Sequence, residues 1–169
     1  DPIITMFQFF KKHQKPLFEG LCDMHNHLLP SIDDGSKDIA MSSKMLEDYL
    51  ALGFTSVIPT PHVYQELYPN TPETVKNAFG NLSKYCLKEG TVKVLSYAAE
   101  YMVDEVFMKN LESGIPALLL HKKYILLEIH FFGGTQLLEQ ACFELSQKGI
   151  LPILAHPERF HMIENVTSF

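Results

Sequence analysis

The residues Asp23-Met24-His25-Asn26-His27, with Asp33-Asp34-Gly35 just beyond them, carry the plainest chemistry in this chain. On a β-strand, alternate side chains point to one side, so His25 and His27 can offer two imidazoles to a single ion. Imidazole nitrogen binds Zn, Fe, Mn and similar divalent ions, and neighbouring carboxylates shift the preference toward the harder ones. A strand that ends in His-x-His with acidic residues beyond it reads as the first corner of a metal site. The alternative is a chance pair on a solvated strand end.

Four other segments must be placed beside this one, and each brings a further candidate ligand. Segment 54–62 is β-branched and aromatic and breaks at Pro59 and Pro61, which puts His62 just past the end of a second strand. Segment 92–100 is an apolar strand closing on Glu100, segment 124–128 closes on Glu128, and segment 150–156 closes on His156. Helical stretches separate several of them. Residues 38–52 form an amphipathic helix stopped by Gly53. Thr71-Pro72-Glu73-Thr74 opens a second, expected to run to about Lys88 and stop near Gly90. Residues 137–148 form a third, ending at Gly149. Strands alternating with helices, with ligand-type residues at successive strand ends, are the layout of an α/β barrel, whose working groups gather at the carboxyl ends of its strands.

These residues resemble a known family. His-x-His, then Leu29-Pro30-Ser31-Ile32-Asp33-Asp34-Gly35, then Thr60-Pro61-His62, Ala99-Glu100-Tyr101 and Ala155-His156-Pro157-Glu158-Arg159, are similar in order and spacing to the PHP-domain protein-tyrosine phosphatases of bacterial capsule and exopolysaccharide operons. The resemblance runs from about Leu21 to Phe160, and its Asp-Asp-Gly and Ala-His-Pro-Glu-Arg motifs are specific to that branch. It implies an α/β fold of the PHP type, a distorted (β/α)7 TIM-like barrel. Residues 1–20 would be an N-terminal extension, 1–5 of them a tag remnant, and 21–169 the phosphatase domain. The family's closing Asp-x-His does not occur after His156, so the chain is expected to be part of a longer protein whose C-terminal strand–helix units and last ligands lie beyond it.

The resemblance also implies the ligand sets. His25, His27 and Glu100 would help hold one ion, Asp34 and His62 a second, and Glu100, Glu128 and His156 a third. Mn is the first expectation, with Fe, Mg or Zn as alternatives. A divalent ion lowers the pKa of bound water from about 15.7 to near 7, and two ions about 3.5–4 Å apart stabilise in-line displacement at phosphorus. Such a pair needs a bridging carboxylate, and Glu100 is the natural candidate. No cysteine nucleophile is required, and no arginine follows Cys22, Cys86 or Cys142 at Cys-x5-Arg spacing.

Arg159 is the chain's only arginine. Its planar fork matches phosphate bidentately, as an ammonium cannot; the plain alternative is a surface ion pair with Glu158, worth about 0–1 kcal/mol. The resemblance assigns it to the substrate phosphate. Asp23 shares the strand face of the two histidines and could orient one of them. Asp33 could simply shape the turn into Asp34 and Gly35. His130, two residues past Glu128, would face the site if the strand continued. Tyr101 and Phe131-Phe132 could line an aromatic pocket or pack in the core. His13, His121 and His161 match no ligand position.

Composition sets outer limits. The 169 residues fit one domain with a substantial core. A net charge of −6 argues against a nucleic-acid surface. Three cysteines in apolar or helical stretches read as reduced packing residues suited to a cytoplasm. No apolar run approaches membrane-spanning length, and the Met6–Lys12 stretch is too short and wrongly ordered for a signal peptide. Lys11 to Pro16 is a short basic lead-in. The functional expectation is a cytoplasmic phosphatase that removes phosphate from tyrosine with metal-activated water, acting on a cognate bacterial tyrosine kinase that controls polysaccharide export. The alternatives are a phosphoesterase acting on a small metabolite such as histidinol phosphate, and a module that binds phosphotyrosine without hydrolysis.

Overall fold

A computed structural model describes residues 16–85, 92–130 and 135–159. Their strands are β1 (Cys22–Asp23), β2 (Ser56–Val57), β3 (His62–Val63), β4 (Lys93–Val94), β5 (Glu100–Met102), β6 (Tyr124–Glu128) and β7 (Leu151–Leu154). The helices are α1 (Ile39–Leu52), α2 (Pro72–Tyr85), α3 (Glu105–Glu112) and α4 (Gln136–Gln147), with a 3-10 turn at Pro157–Arg159. All named strands pair in parallel, β1-β2-β4 in one sheet and β3-β5-β6-β7 in the other. The result is an α/β fold, as expected.

Two of the five expected strand segments are each divided in two. Pro59 and Pro61 have no N–H to donate, so the ladder breaks where segment 54–62 should have been continuous. Isolated bonds bridge the gap: Ile58 N–H to the Asp23 carbonyl at 2.8 Å, Thr60 to Asn26 at 2.9 Å, Ala98 to Pro59 at 2.9 Å and Glu100 to Pro61 at 3.0 Å. His62 and Glu100 therefore open the second sheet, in register with each other, instead of closing the first. Likewise β1 ends at Asp23, and the His-x-His lies beyond it. Asn26 between the histidines is pinned to Thr60, its N–H donating to the threonine hydroxyl at 3.1 Å.

Each helix begins where its cap permits. The Asp38 carboxylate accepts the Met41 N–H at 2.8 Å, and Gly53, with φ of 101°, closes α1. Thr71 Oγ1 accepts the Thr74 N–H at 3.2 Å, with Pro72 as first helical residue. The expected end of α2 near Lys88 and Gly90 lies outside the described residues. Helix α3 was not anticipated; the Asp104 carboxylate caps it through the Phe107 N–H at 2.7 Å.

Strand alternation decides which side chains can reach a site. Tyr101, Val103, Ile125, Leu127 and Ile129 are buried in one cluster with Phe107 and Leu111 of α3 and Ala141 and Leu145 of α4. Their neighbours in sequence, including Glu100 and Glu128, therefore face the other side. A second cluster packs α1 and α2 through Leu46, Val75 and Leu82 against Leu28, Val57 and Val92. Cys22 and Cys142 are free thiols, half-buried, while Cys86 lies outside the described residues.

Candidate metal centre

Glu100 is completely buried at the start of β5. Four imidazoles surround its carboxylate. Oε2 lies 3.1 Å from His25 Nε2, 3.4 Å from His27 Nε2 and 3.3 Å from His62 Nδ1, and Oε1 lies 3.7 Å from His156 Nε2. Even so, neither carboxylate oxygen nor His25 Nε2 has a hydrogen bond of acceptable geometry. A buried charge without such partners is costly, and a shared cation is the ordinary remedy. The donor set of imidazole nitrogens and carboxylate oxygens suits Mn, Fe or Zn.

Three groups converge closely enough to share an ion, each with its ligand atoms within 4.8 Å of one another: His25, His27 and Glu100; His27, Asp34 and His62; and His62, Glu100 and Glu128. The first is the set the resemblance implied. The second adds His27 to Asp34 and His62, and the third has His62 where His156 was expected. The His156 ring instead lies 4.7 Å from that of His25, beside Glu100 but outside these groups. Its backbone has a φ of 49°, in the left-handed region, which turns the chain sharply out of β7 into the 3-10 turn. Arg159, on that turn, is half exposed, and its Nη1 lies 4.0 Å from Glu128 Oε1. Among the described residues its acidic neighbour is thus the site carboxylate Glu128 and not Glu158.

Asp33 has a larger part than the turn expected of it. Its side chain is fully buried; Oδ2 lies 2.8 Å from His27 Nδ1 and accepts the His62 N–H at 3.1 Å, while Oδ1 accepts the Gly35 N–H at 3.0 Å. With Nδ1–H donated to Asp33, His27 turns Nε2 toward Glu100, the carboxylate–histidine arrangement that orients metal ligands. Gly35 closes the same loop so tightly that a Cβ there would lie 2.1 Å from the His27 carbonyl oxygen. Asp34 is mostly exposed, with Oδ1 3.8 Å from His62 Nε2. Burial opposes a charge on His27, but the hydrogen bond to Asp33 and the close carboxylate charges of Asp33 and Glu100 outweigh it, raising its pKa to about 10. Burial likewise opposes ionised Glu100, yet the close imidazoles of His25, His27 and His62 outweigh it and lower its pKa to about 2.

Tyr68 had no signal in the sequence beyond being an aromatic in the loop after His62. Its ring stacks on His62, with centroids 5.4 Å apart and planes 11° from parallel. Asn70 ties the same loop down, donating to the Ile32 and His62 carbonyls at 2.7 and 2.8 Å.

Other expectations fall elsewhere. The Asp23 carboxylate accepts the His25 backbone N–H at 3.1 Å and the Tyr49 hydroxyl at 2.6 Å, so it braces the chain rather than a ring. Tyr101 is a core residue whose hydroxyl accepts the Leu118 N–H at 2.8 Å. Strand β6 stops at Glu128, and His130 rests against Tyr64, Nε2 to hydroxyl 3.3 Å. His13, His161 and Phe131-Phe132 lie outside the described residues.

The family description "Capsular polysaccharide synthesis, CpsB/CapC" matches residues 21–168. The chain belongs to this family. Tyrosine-protein phosphatase YwqE of Bacillus subtilis (strain 168) is 33% identical over 139 residues, which are 82% of this chain and 55% of YwqE. Putative tyrosine-protein phosphatase CapC of Staphylococcus aureus is 27% identical across 82% of this chain and 54% of its own length. Tyrosine-protein phosphatase CpsB of Streptococcus pneumoniae is 23% identical across 86% and 60%. A crystal structure from work on YwqE and CpsB as unique metal-dependent tyrosine phosphatases superposes with a TM-score of 0.75 at 33% identity, covering 85% of this chain and 58% of that one. This CpsB/CapC chain thus spans little more than half the length of the relatives it matches.

Proposed function

We propose that this chain carries the metal centre of a metal-dependent protein-tyrosine phosphatase. The observation that carries the reading is Glu100, a fully buried carboxylate facing four imidazoles with both oxygens lacking hydrogen bonds. The names of its relatives give the reaction class. His25, His27, Asp34, His62, Glu100, Glu128 and His156 would hold up to three divalent ions, Mn first. When bound, such ions acidify water and neutralise phosphoryl charge.

The chain's own residues supply the rest. Asp33 holds His27 in one tautomer, and Asn26, pinned to Thr60, keeps the two histidines at fixed spacing. Arg159 is exposed enough to meet a ligand and close enough to Glu128 to be drawn over the centre. There its guanidinium takes two phosphoryl oxygens, orienting the ester for attack. The parallel strand segments, neighbours in chain order, support a PHP-type barrel with the centre at its carboxyl-end mouth. The substrate is a phosphotyrosine-bearing protein, the cognate tyrosine kinase of polysaccharide export, and the setting is the cytoplasm. No helix among the described residues is long and apolar enough to cross a membrane.

The test is hydrolysis of a phosphotyrosine peptide and of histidinol phosphate by the natural full-length protein loaded with Mn. Turnover of the peptide, lost on chelation, is expected. Preferential turnover of histidinol phosphate would move the reading to a small-metabolite phosphoesterase. Peptide binding with no hydrolysis of either would leave a recognition module.

A further inference from the structure

His62 is held differently from its neighbour in the centre. His27 has Asp33 on its outer nitrogen at 2.8 Å, the usual brace of a metal-ligating histidine. Both ring nitrogens of His62 face carboxylates of the centre itself. Nε2 lies 3.8 Å from Asp34 Oδ1, and Nδ1 lies 3.3 Å from Glu100 Oε2 and 3.5 Å from Glu128 Oε2. Two of the three groups able to share an ion meet in this one ring. Among the described residues neither nitrogen is braced by a group outside the centre. A neutral imidazole has a single lone pair, so an outer hydrogen bond on either nitrogen would commit the ring to one group.

The ring is held by other rings instead. That of His27 lies 4.5 Å away, tilted by 37°, and that of Tyr68 lies 5.4 Å away and only 11° from parallel. A flat ring laid against an imidazole resists its rotation and leaves both nitrogens to the ions. The loop is shaped to present that ring. Tyr64 and Tyr68 exchange both backbone bonds, at 2.9 and 2.7 Å, and the Asn70 N–H donates to the Tyr68 carbonyl at 2.6 Å. The tip leaves Leu67 65% exposed and turns Tyr68 inward, half-buried. Packing alone would bury the leucine first.

We propose that Tyr68 is a positioning residue: through the face of its ring it sets the plane of His62, and with it the fit of the ions that His62 serves. The proposal rests on the metal centre proposed above and adds to it a residue that is not a ligand.

The experiment titrates Mn by calorimetry into the metal-free natural full-length protein and its Tyr68→Phe, Tyr68→Leu and Tyr68→Met variants. Melting temperature in chelator and hydrolysis of a phosphotyrosine peptide are followed in the same preparations. Tyr68 lies outside the core clusters, so the variants are expected to fold. Phe keeps the flat face and should restore natural Mn binding. Leu and Met should weaken the ions that involve His62 by about tenfold, the low end for outer partners of a ligand. Ions held without His62 should keep their affinity. Natural Mn binding in Leu or Met, even with a lowered melting temperature, would overturn the proposal and leave Tyr68 a loop-packing residue. Equal weakening in Phe would assign the effect to the hydroxyl and overturn it too. Mn binding as expected with no peptide hydrolysis would sink the phosphatase reading and leave the role of Tyr68 standing. A natural protein that binds no Mn would overturn both.

Discussion

At Glu100, one side chain is asked to be ionised where no water reaches it, and the neighbouring imidazoles make that possible. Replacing it with Gln keeps the shape and removes the charge. Mn affinity measured by calorimetry should then fall by more than the roughly 10–100-fold typical of outer partners. Asp33→Asn should fall within that range, because it acts through the far nitrogen of His27 and the His62 and Gly35 backbone N–H groups and not as a ligand. Arg159→Lys separates substrate from metal: kcat/KM on a phosphotyrosine peptide should drop by about tenfold or more, roughly 1.4 kcal/mol, with Mn content by elemental analysis unchanged. Equal loss of both would remove Arg159 from the phosphate. The proton balance follows from two directions. His27 is raised from 6.5 to about 10, so its contribution to the metal-free fold is complete below 6.5 and lost as pH rises through about 10. Glu100 is lowered from 4.5 to about 2, so its contribution is present above 4.5 and lost as pH falls through about 2. Near pH 7 the raised pKa keeps a proton on His27 that a binding cation would displace. Binding should therefore release protons and tighten as pH rises, read as a dependence of binding heat on buffer ionisation enthalpy. Heats independent of buffer would contradict it.

The elements that present these residues are held by a few local devices, and each can be broken singly. Gly35→Ala would push a methyl into the His27 backbone; it should cost stability in the range of about 1–3 kcal/mol for overpacking and weaken Mn binding together. If the melting point is unchanged, the loop is looser than described. Asp38→Ala removes the cap of α1 and should cost about 1 kcal/mol, a drop of roughly 2–4 °C in melting temperature, with little effect on Mn. Several helix ends were readable from sequence: Gly53, Thr71 with Pro72, and Gly149 stand where turn chemistry demands them, whereas Asp38, read as the first residue of its helix, is that helix's cap. Helix α3 was not, because its eight residues give barely two turns of periodicity. The division of the sheets was half readable. Pro59 and Pro61 announced a break, but their effect on segment 95–99 depends on a pairing no single sequence displays.

At the scale of the whole molecule, apolar runs ending in His or Glu pointed to His62, Glu100, Glu128 and His156, and the His-x-His spacing to His25 and His27; the fold gathers them because parallel strands deliver their ends to one place. Asp33 and Tyr68 escaped because their roles are made by contacts across loops and not by position along a strand. Sharing was equally hidden: spacing names ligands, but only the packed fold brings His27 and His62 each within reach of two groups. One consequence reaches past catalysis. A chain that seats a buried carboxylate among imidazoles, ready for a cation, should have no single intrinsic melting temperature; mass action would couple its unfolding to whatever divalent ion is free in solution. At a concentration a hundredfold above Kd the gain is about 2.7 kcal/mol, roughly 5–10 °C for a chain this size. A chelator in the purification buffer would thus select a softer protein, and a dye-based thermal scan across ions would rank them with no substrate present.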